Sequence, residues 1–280
     1  MSEDRLEKYL TYPVSRRLGW LDRLAPKLPI FGPISCPVCG RVTFARSFDE
    51  NLRETGLCMG CGATNRNRQI ALVLTGAISE LSGRSFRSIR DARKANGVRI
   101  YNTEAQGPVD AQLAGHPSYV ASEYLGADFR PGESVEGVRH ENVEELSFED
   151  GSLDIVMSSD VFEHIADPYK AHSEVRRVLS DGGRHIFTVP FHQEGFRDDR
   201  RAEERDGSTV HHKEPIYHLD PIREDGILVY NIFALEMLLR LREHGFLPRM
   251  YRIHSPMHGI LGPNGLVFEA VKIEEPDASL

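Results

Sequence analysis

Tryptophan occurs once in the 280 residues, methionine six times and cysteine only four times. Four cysteines are too few for a disulfide-dense secreted scaffold. Long hydrophobic runs are also missing. The most apolar stretch, Ile70 to Ile78 (IALVLTGAI), is too short to span a bilayer and is broken by a Thr and a Gly. The opening MSEDRLEKYL carries charges of both signs and no apolar h-region. We therefore expect a cytoplasmic protein with no membrane span. Basic residues are not in excess: 34 Lys and Arg face 42 Asp and Glu, a net charge of −8. That balance disfavours a broadly nucleic-acid-binding surface, although a local patch remains compatible with it. What is present is an ordinary globular share, 40 % hydrophobic and 27 % charged, enough to build a real core.

All four cysteines fall in one segment, as Cys36-Pro-Val-Cys39-Gly40 and Cys58-Met-Gly-Cys61-Gly62. The pattern C-x2-C-x18-C-x2-C has the spacing of a structural zinc site. Two residues between cysteines let one tight turn aim both sulfurs at one metal. A glycine after each pair can take the left-handed conformation such a turn ends on. Four thiolates complete a tetrahedron with no open position, so Cys36, Cys39, Cys58 and Cys61 are read as ligands of a structural Zn2+ in a small ribbon. Arg41 and Arg46 are placed to offset its negative charge. Arg53, Arg66 and Arg68 lie near the knuckles, and Arg84, Arg87, Arg90, Arg93, Lys94 and Arg99 follow. These form either a patch for an anionic partner or a solvated face; charge runs more often face water.

Beyond the ribbon, strand and helix patterns alternate. A helix is expected over Arg66–Ser82. Strands are expected over Val98–Asn102, Tyr119–Tyr124, a segment ending near Asn142, Leu153–Ser158 and Arg184–Phe191. A helix from an Asp167 cap, with Pro168 at its first position, runs to Leu179 and stops at Asp181-Gly182-Gly183. A further helix is expected over Ile232–His244, and a final pair of strands over Leu247–Ile253 and Gly265–Ile273. This order predicts a mostly parallel α/β sheet. Ligands of such sheets bind beyond the carboxyl ends of the strands. Glu123, after the second strand, suits a ribose diol, because a carboxylate accepts from both hydroxyls.

The stretch FEDGSLDIVMSSDVFEHIADPYKAHSEVRRVLSDGGRHIFTVPF (Phe148–Phe191) resembles class I S-adenosylmethionine-dependent methyltransferases, most of all the branch labelled methyltransferase type 11. The resemblance implies an α/β fold: a Rossmann-like seven-stranded methyltransferase sheet preceded by a small zinc ribbon. It implies S-adenosylmethionine as cofactor and an in-line displacement of its methyl group. By position in the family pattern, Glu123 matches the ribose-binding acid, and Asn142 and Val143 the adenine contacts. Ser159 and Asp160 match the lining of the methyl-transfer mouth, and Glu163-His164 an E-H pair. One departure stands out. Where the family has a glycine-rich loop after the first strand, this chain reads Tyr101-Asn102-Thr103-Glu104-Ala105-Gln106-Gly107-Pro108. Asn102, Thr103, Glu104 and Gly107 are then the candidates for the cofactor's amino-acid part.

Residues 192–231 show little helix or strand period and follow the fifth strand, where an insertion folds over an active-site mouth. Their first half, Arg197 to Asp206, is charged and expected to be mobile. The second half holds His211, His212 and His218; with His164 these are the candidate bases for an oxygen acceptor. The turn His254-Ser255-Pro256-Met257-His258 is a second polar cluster, and Trp20 is expected to pack an N-terminal extension.

The expected organisation is an N-terminal helical extension (1–32), a zinc ribbon (33–69) and a methyltransferase domain (70–280). The expected activity is methyl transfer to a small molecule or saccharide. The competing reading is a non-catalytic zinc-ribbon and Rossmann module that binds nucleic acid or a protein. The charge is not spread evenly: Glu141 to Asp167 holds nine acidic residues and no Lys or Arg. A sulfonium cation would be welcome beside that segment.

Overall fold

The computed structural model describes residues 19–218, 226–263 and 265–273. The chain divides into two compact units. The first is Met1–Ala121 with Arg249–Glu269, the second Ser122–Pro248 with Ala270–Leu280.

The first unit opens with a short helix, α1 (Gly19–Leu24). Strands β1 (Ile30–Ser35), β2 (Val42–Arg46) and β3 (Leu57–Cys58) follow as an antiparallel sheet. Its apolar residues Phe31, Ile34, Ala45 and Phe48 close a small core with Ala25 and Leu261. Trp20 does not pack as expected and is 57 % exposed. Helix α2 (Asn65–Ser82) starts at a capping box, in which Thr64 Oγ1 accepts from the Asn67 amide and the Asn67 side chain accepts from the Thr64 amide. It ends on left-handed Gly83. Ile70, Ala71, Leu74 and Ile78 line its buried face. Helix α3 (Ile89–Ala92) is capped by Ser88 and its first two amides donate to the carbonyls of Pro37 and Val38. The basic residues around it, Arg84, Arg87, Arg90 and Arg93, are exposed. Strand β4 (Ile100–Asn102), helix α4 (Gly107–Leu113) and strand β5 (Tyr119–Ala121) complete a strand–helix–strand step, and β4 and β5 run parallel.

The second unit begins with a tight hairpin, β6 (Ser134–Val135) and β7 (Val138–Arg139). Its turn is Glu136-Gly137, both at positive φ. This hairpin uses the segment in which a third sheet strand is expected, and Asn142 makes only a single bridging pair with Glu145. Strand β8 (Leu153–Ser159), helix α5 (Pro168–Val178) and strand β9 (Leu179–Thr188) follow, with β8 and β9 parallel. The cap is the expected one: Asp167 accepts from the Lys170 amide and Pro168 opens the helix. The Asp181-Gly182-Gly183 turn is present but lies inside β9, as a register break between Leu179 and Arg184. A Cβ on Gly183 would sit 2.7 Å from the Ser180 carbonyl, so the turn closes too tightly for a side chain.

The insertion is built differently from expectation. Strand β10 (Asp199–Arg200) pairs with β15 (Asn231–Ile232), β11 (Ala202–Arg205) with β12 (Ser208–His211), and β13 (Tyr217–His218) with β14 (Ile227–Leu228). The charged half is thus a hairpin closed by Asp206-Gly207, both left-handed, a dipeptide suited to a two-residue turn. Leu219 to Pro221 lie outside the described residues. Helix α6 (Leu235–Glu243) follows, shorter than expected because Ile232 belongs to β15. The final strands β16 (Phe246–Arg252) and β17 (Leu266–Lys272) are neighbours and carry the chain from one unit to the other and back. The fold is mixed α/β with a mostly parallel sheet of the Rossmann type. Its parallel pairs are β4 with β5 in the first unit and β8 with β9 in the second. Among the described residues no helix is long and apolar enough to cross a membrane.

Candidate functional site

In the first unit the four cysteine sulfurs meet. One ligand atom from each of Cys36, Cys39, Cys58 and Cys61 lies within 4.8 Å of the others. Cys36 Sγ is 3.9 Å from Cys61 Sγ, and Cys39 Sγ is 4.0 Å from Cys58 Sγ. These separations are far too long for a disulfide. They match the edge of a thiolate tetrahedron, about 3.8 Å for zinc–sulfur bonds of about 2.3 Å. The two knuckles share one geometry. The Gly40 amide donates to the Cys36 carbonyl at 2.9 Å, and the Gly62 amide to the Cys58 carbonyl at 2.7 Å. Both glycines are left-handed, at φ 71° and 75°. A Cβ on Gly40 would also meet the Ser88 hydroxyl at 2.7 Å.

The arginines near the knuckles do not form an open patch. Arg68 is fully buried. Its guanidinium donates to the carbonyls of Gly56 (2.7 Å), Ala63 (2.6 Å) and Gly259 (2.7 Å). Burial lowers its pKa to about 10, and the nearby cysteines oppose that shift by favouring a cation. Arg53 and Arg66 both pair with Glu54. Arg41 reaches the Gly60 carbonyl at 3.5 Å, whereas Arg46 is an exposed strand residue. Arg68 is the buried cation that the nearby cysteines favour, and sequence spacing points to it only as a basic neighbour. The polar turn near residue 254 also has local partners: His254 binds Asp22 at 2.8 Å and Ser255 binds His258 at 2.8 Å.

The loop after β4 is held by side chains rather than glycines. Asn102 is buried. Its Oδ1 accepts from the Glu104 amide at 3.2 Å, and its Nδ2 donates to the Glu104 carbonyl at 2.6 Å and to Tyr119 Oη at 3.0 Å. Tyr119 in turn donates to Asp110 at 2.8 Å. The Thr103 hydroxyl is buried with no hydrogen-bond partner among the described residues. Gly107 sits at φ 89°.

In the second unit, Glu123 exchanges backbone hydrogen bonds with the strand across from it. Its amide donates to the Arg139 carbonyl at 2.9 Å and its carbonyl accepts from Glu141 at 3.2 Å. Asn142 Oδ1 accepts from the Glu144 amide at 3.0 Å, with Val143 half-buried between them. Asp160 is left-handed at φ 54° and accepts from the Thr188 hydroxyl at 2.8 Å; Ser159 lies 3.5 Å from the same hydroxyl.

The structure also gathers Glu163, His164 and His218. Glu163 and His164 stand on a helical turn after β8, pinned by the Tyr230 amide on the Glu163 carbonyl and by Asn231 on the Ile165 carbonyl. His218 comes from β13. Burial pushes the Glu163 carboxyl up to about 7; His218 opposes this and Asp160 adds to it. His211 and His212 are exposed and lie outside this cluster, His212 facing Glu203 at 3.6 Å. The sequence marks Glu163 only as half of an E-H pair. No spacing signal links it to His218, 55 positions on.

The fold is α/β, and polar residues stand at the ends of its strands. Residues 116–187 match the family model described as Methyltransferase domain. Among curated proteins, an uncharacterized 37.1 kDa protein in transposon TN4556 of Streptomyces fradiae is 43 % identical over 49 residues. The match covers 18 % of this chain, and the chain spans only 14 % of that relative's length. Among solved structures, an S-adenosylmethionine-dependent methyltransferase from Mesorhizobium loti matches at 16 % identity and TM-score 0.41, covering 63 % of this chain and 91 % of that one. The 1,6-didemethyltoxoflavin-N1-methyltransferase of Burkholderia thailandensis matches at 18 % identity and TM-score 0.38, covering 72 % of this chain and 81 % of that one.

Proposed function

We propose that the chain is an S-adenosylmethionine-dependent methyltransferase acting on an oxygen or nitrogen of a small molecule or saccharide, with a structural zinc in the cysteine cluster. The observation that carries this reading is the methyltransferase-domain match over residues 116–187. Within it lie Glu123, Asn142, Val143, Ser159 and Asp160; of these Glu123 follows β5, and Ser159 and Asp160 stand at the end of β8, where sheets of this kind bind their ligands. The loop after β4 supports it: Thr103 carries a buried hydroxyl with no partner among the described residues, and Gly107 holds a left-handed turn.

When bound, S-adenosylmethionine supplies an electrophilic methyl group on a sulfonium sulfur. Around it the chain's residues have separate tasks. The Glu123 carboxylate would accept from the ribose hydroxyls, and Asn142 and Val143 would contact the adenine. Asn102 shapes the loop that carries Thr103, Glu104 and Gly107 toward the amino-acid part. Ser159 and Asp160 line the mouth. For an oxygen acceptor a base is needed, and His164 and His218 are the two candidates brought together; His211 and His212 stand apart from them. The structural zinc draws support from the donor set, four sulfurs with tetrahedral spacing.

Calorimetric titration with S-adenosylmethionine and S-adenosylhomocysteine tests the reading. Both are expected to bind, and Glu123→Ala is expected to weaken binding roughly tenfold or more, the loss of a charge-assisted hydrogen-bond pair. No heat from either compound refutes the methyltransferase reading. Unchanged affinity in Glu123→Ala refutes the ribose assignment alone.

A further inference from the structure

A fully buried carboxylate is costly unless a cation or several hydrogen bonds compensate it. The Glu163 side chain has no exposed surface, and neither of its oxygens has a hydrogen-bond partner among the described residues. Instead, Oε1 faces two imidazole nitrogens, His164 Nε2 at 3.7 Å and His218 Nδ1 at 3.6 Å. Those nitrogens are 3.3 Å from each other. The three atoms form a nearly equilateral triangle. For metal–ligand bonds of about 2.1 Å, the edge of a tetrahedron is about 3.4 Å. The triangle is therefore already of the size that one ion requires.

The histidine on the helical turn is oriented as ligand histidines are. His164 Nδ1 lies 2.8 Å from the Leu228 carbonyl. A carbonyl only accepts, so Nδ1 carries the proton and the Nε2 lone pair points into the triangle. This backbone contact is the supporting bond that fixes the tautomer of metal-bound imidazoles. The carbonyl comes from β14, the partner strand of β13, which also carries His218. One small ladder thus supplies a ligand and orients another.

We propose that Glu163, His164 and His218 form a second metal site, for a divalent first-row transition ion, distinct from the four-cysteine cluster. Two imidazoles and a carboxylate suit zinc, iron(II) or cobalt(II) better than calcium or magnesium. Three protein ligands leave at least one position open, the pattern of a catalytic rather than a structural ion. The consequence for activity rests on the methyltransferase reading and changes its base: with both imidazoles held on the ion, an acceptor hydroxyl on the open position would release its proton to water rather than to His164 or His218, its electron pair remaining on oxygen.

The test uses cobalt(II) on the full chain with the cysteine cluster already filled with zinc. Cobalt is expected to bind at one equivalent, with weak visible bands and no thiolate charge-transfer band. Glu163→Gln and His218→Ala are each expected to weaken this binding roughly tenfold or more, and His211→Ala to leave it unchanged. Circular dichroism checks that each variant folds. His218 sits on a short, half-exposed strand, so its truncation spares the core. Absence of any cobalt equivalent beyond the zinc overturns the proposal, as does wild-type affinity in both ligand variants. No methyl donor enters the experiment, so its failure leaves the methyltransferase reading standing and the reverse also holds.

Discussion

Acidification from about pH 7.5 to about pH 5 is expected to destabilise the protein through one residue, His185. Its side chain is fully buried on β9, with its ring stacked on Phe187 at 4.5 Å and tilted against Phe162 at 4.9 Å. Nε2 meets the Ser158 hydroxyl at 3.0 Å, while Nδ1 has no hydrogen-bond partner among the described residues. Burial lowers its pKa from 6.5 to about 3. A folded-state value below the unfolded one means that the unfolded chain takes up the proton first. Stability is then complete above about pH 6.5 and falls as pH drops, by up to about 1.4 kcal/mol per unit, until pH approaches the folded value. Between the two conditions the loss from this group is about 2 kcal/mol. Urea unfolding followed by circular dichroism, at both pH values, on wild type and His185→Phe, isolates it. The variant leaves the Ser158 hydroxyl without this partner, a cost equal at both pH values that cancels from the slope. His172 is present in both proteins; burial is the chief cause of its low pKa and His185 a smaller one, so most of its part in the loss cancels. Wild type is expected to lose about 2 kcal/mol more than the variant on acidification. Parallel losses would mean that His185 reaches solvent in the folded state, and the argument from burial would be wrong.

Cys58→Ser is expected to lower the zinc content measured by elemental analysis from about one per chain and to reduce the melting temperature, because a structural ion contributes folding energy directly. Retention of full zinc in that variant would count against the four-thiolate site. Arg68→Leu is expected to cost about 3 kcal/mol or more in urea unfolding, since the carbonyls of Gly56, Ala63 and Gly259 lose their donor in the interior; a loss under about 1 kcal/mol would show that water replaces it.

What could be read from the sequence was local. The C-x2-C pairs fix their own turns, and the glycine after each is the residue a left-handed position requires, so the cysteine cluster was legible in full. The Asp167 cap and Pro168 mark the start of α5 because capping is a contact over three residues. The insertion also carries a local signal: Asp206-Gly207 between Ala202–Arg205 and Ser208–His211 is a hairpin turn written in the sequence, masked by the charges around it. The rest depended on distant partners. Arg68 reads as one more basic residue until Gly259 arrives from 191 positions away to accept from it. His218 is placed by the pairing of β13 with β14, which hydrophobic period does not announce.

The missing glycines after the first strand of the α/β region have a structural answer. A glycine-rich loop lets the backbone turn sharply and come close to a ligand. Here the turn is made by Asn102, whose side chain brackets Glu104 from both its amide and its carbonyl and is braced by Tyr119 and Asp110. Asn102 is thereby committed to its own loop, and its amide group is not the part of the loop best placed to receive a ligand. In the proposed function that task falls to Thr103, whose hydroxyl is buried with no partner among the described residues, and to the left-handed backbone at Gly107. The departure from the family pattern thus replaces conformational freedom with a hydrogen-bonded scaffold, and a loop of fixed shape loses less entropy when a ligand binds than a flexible one.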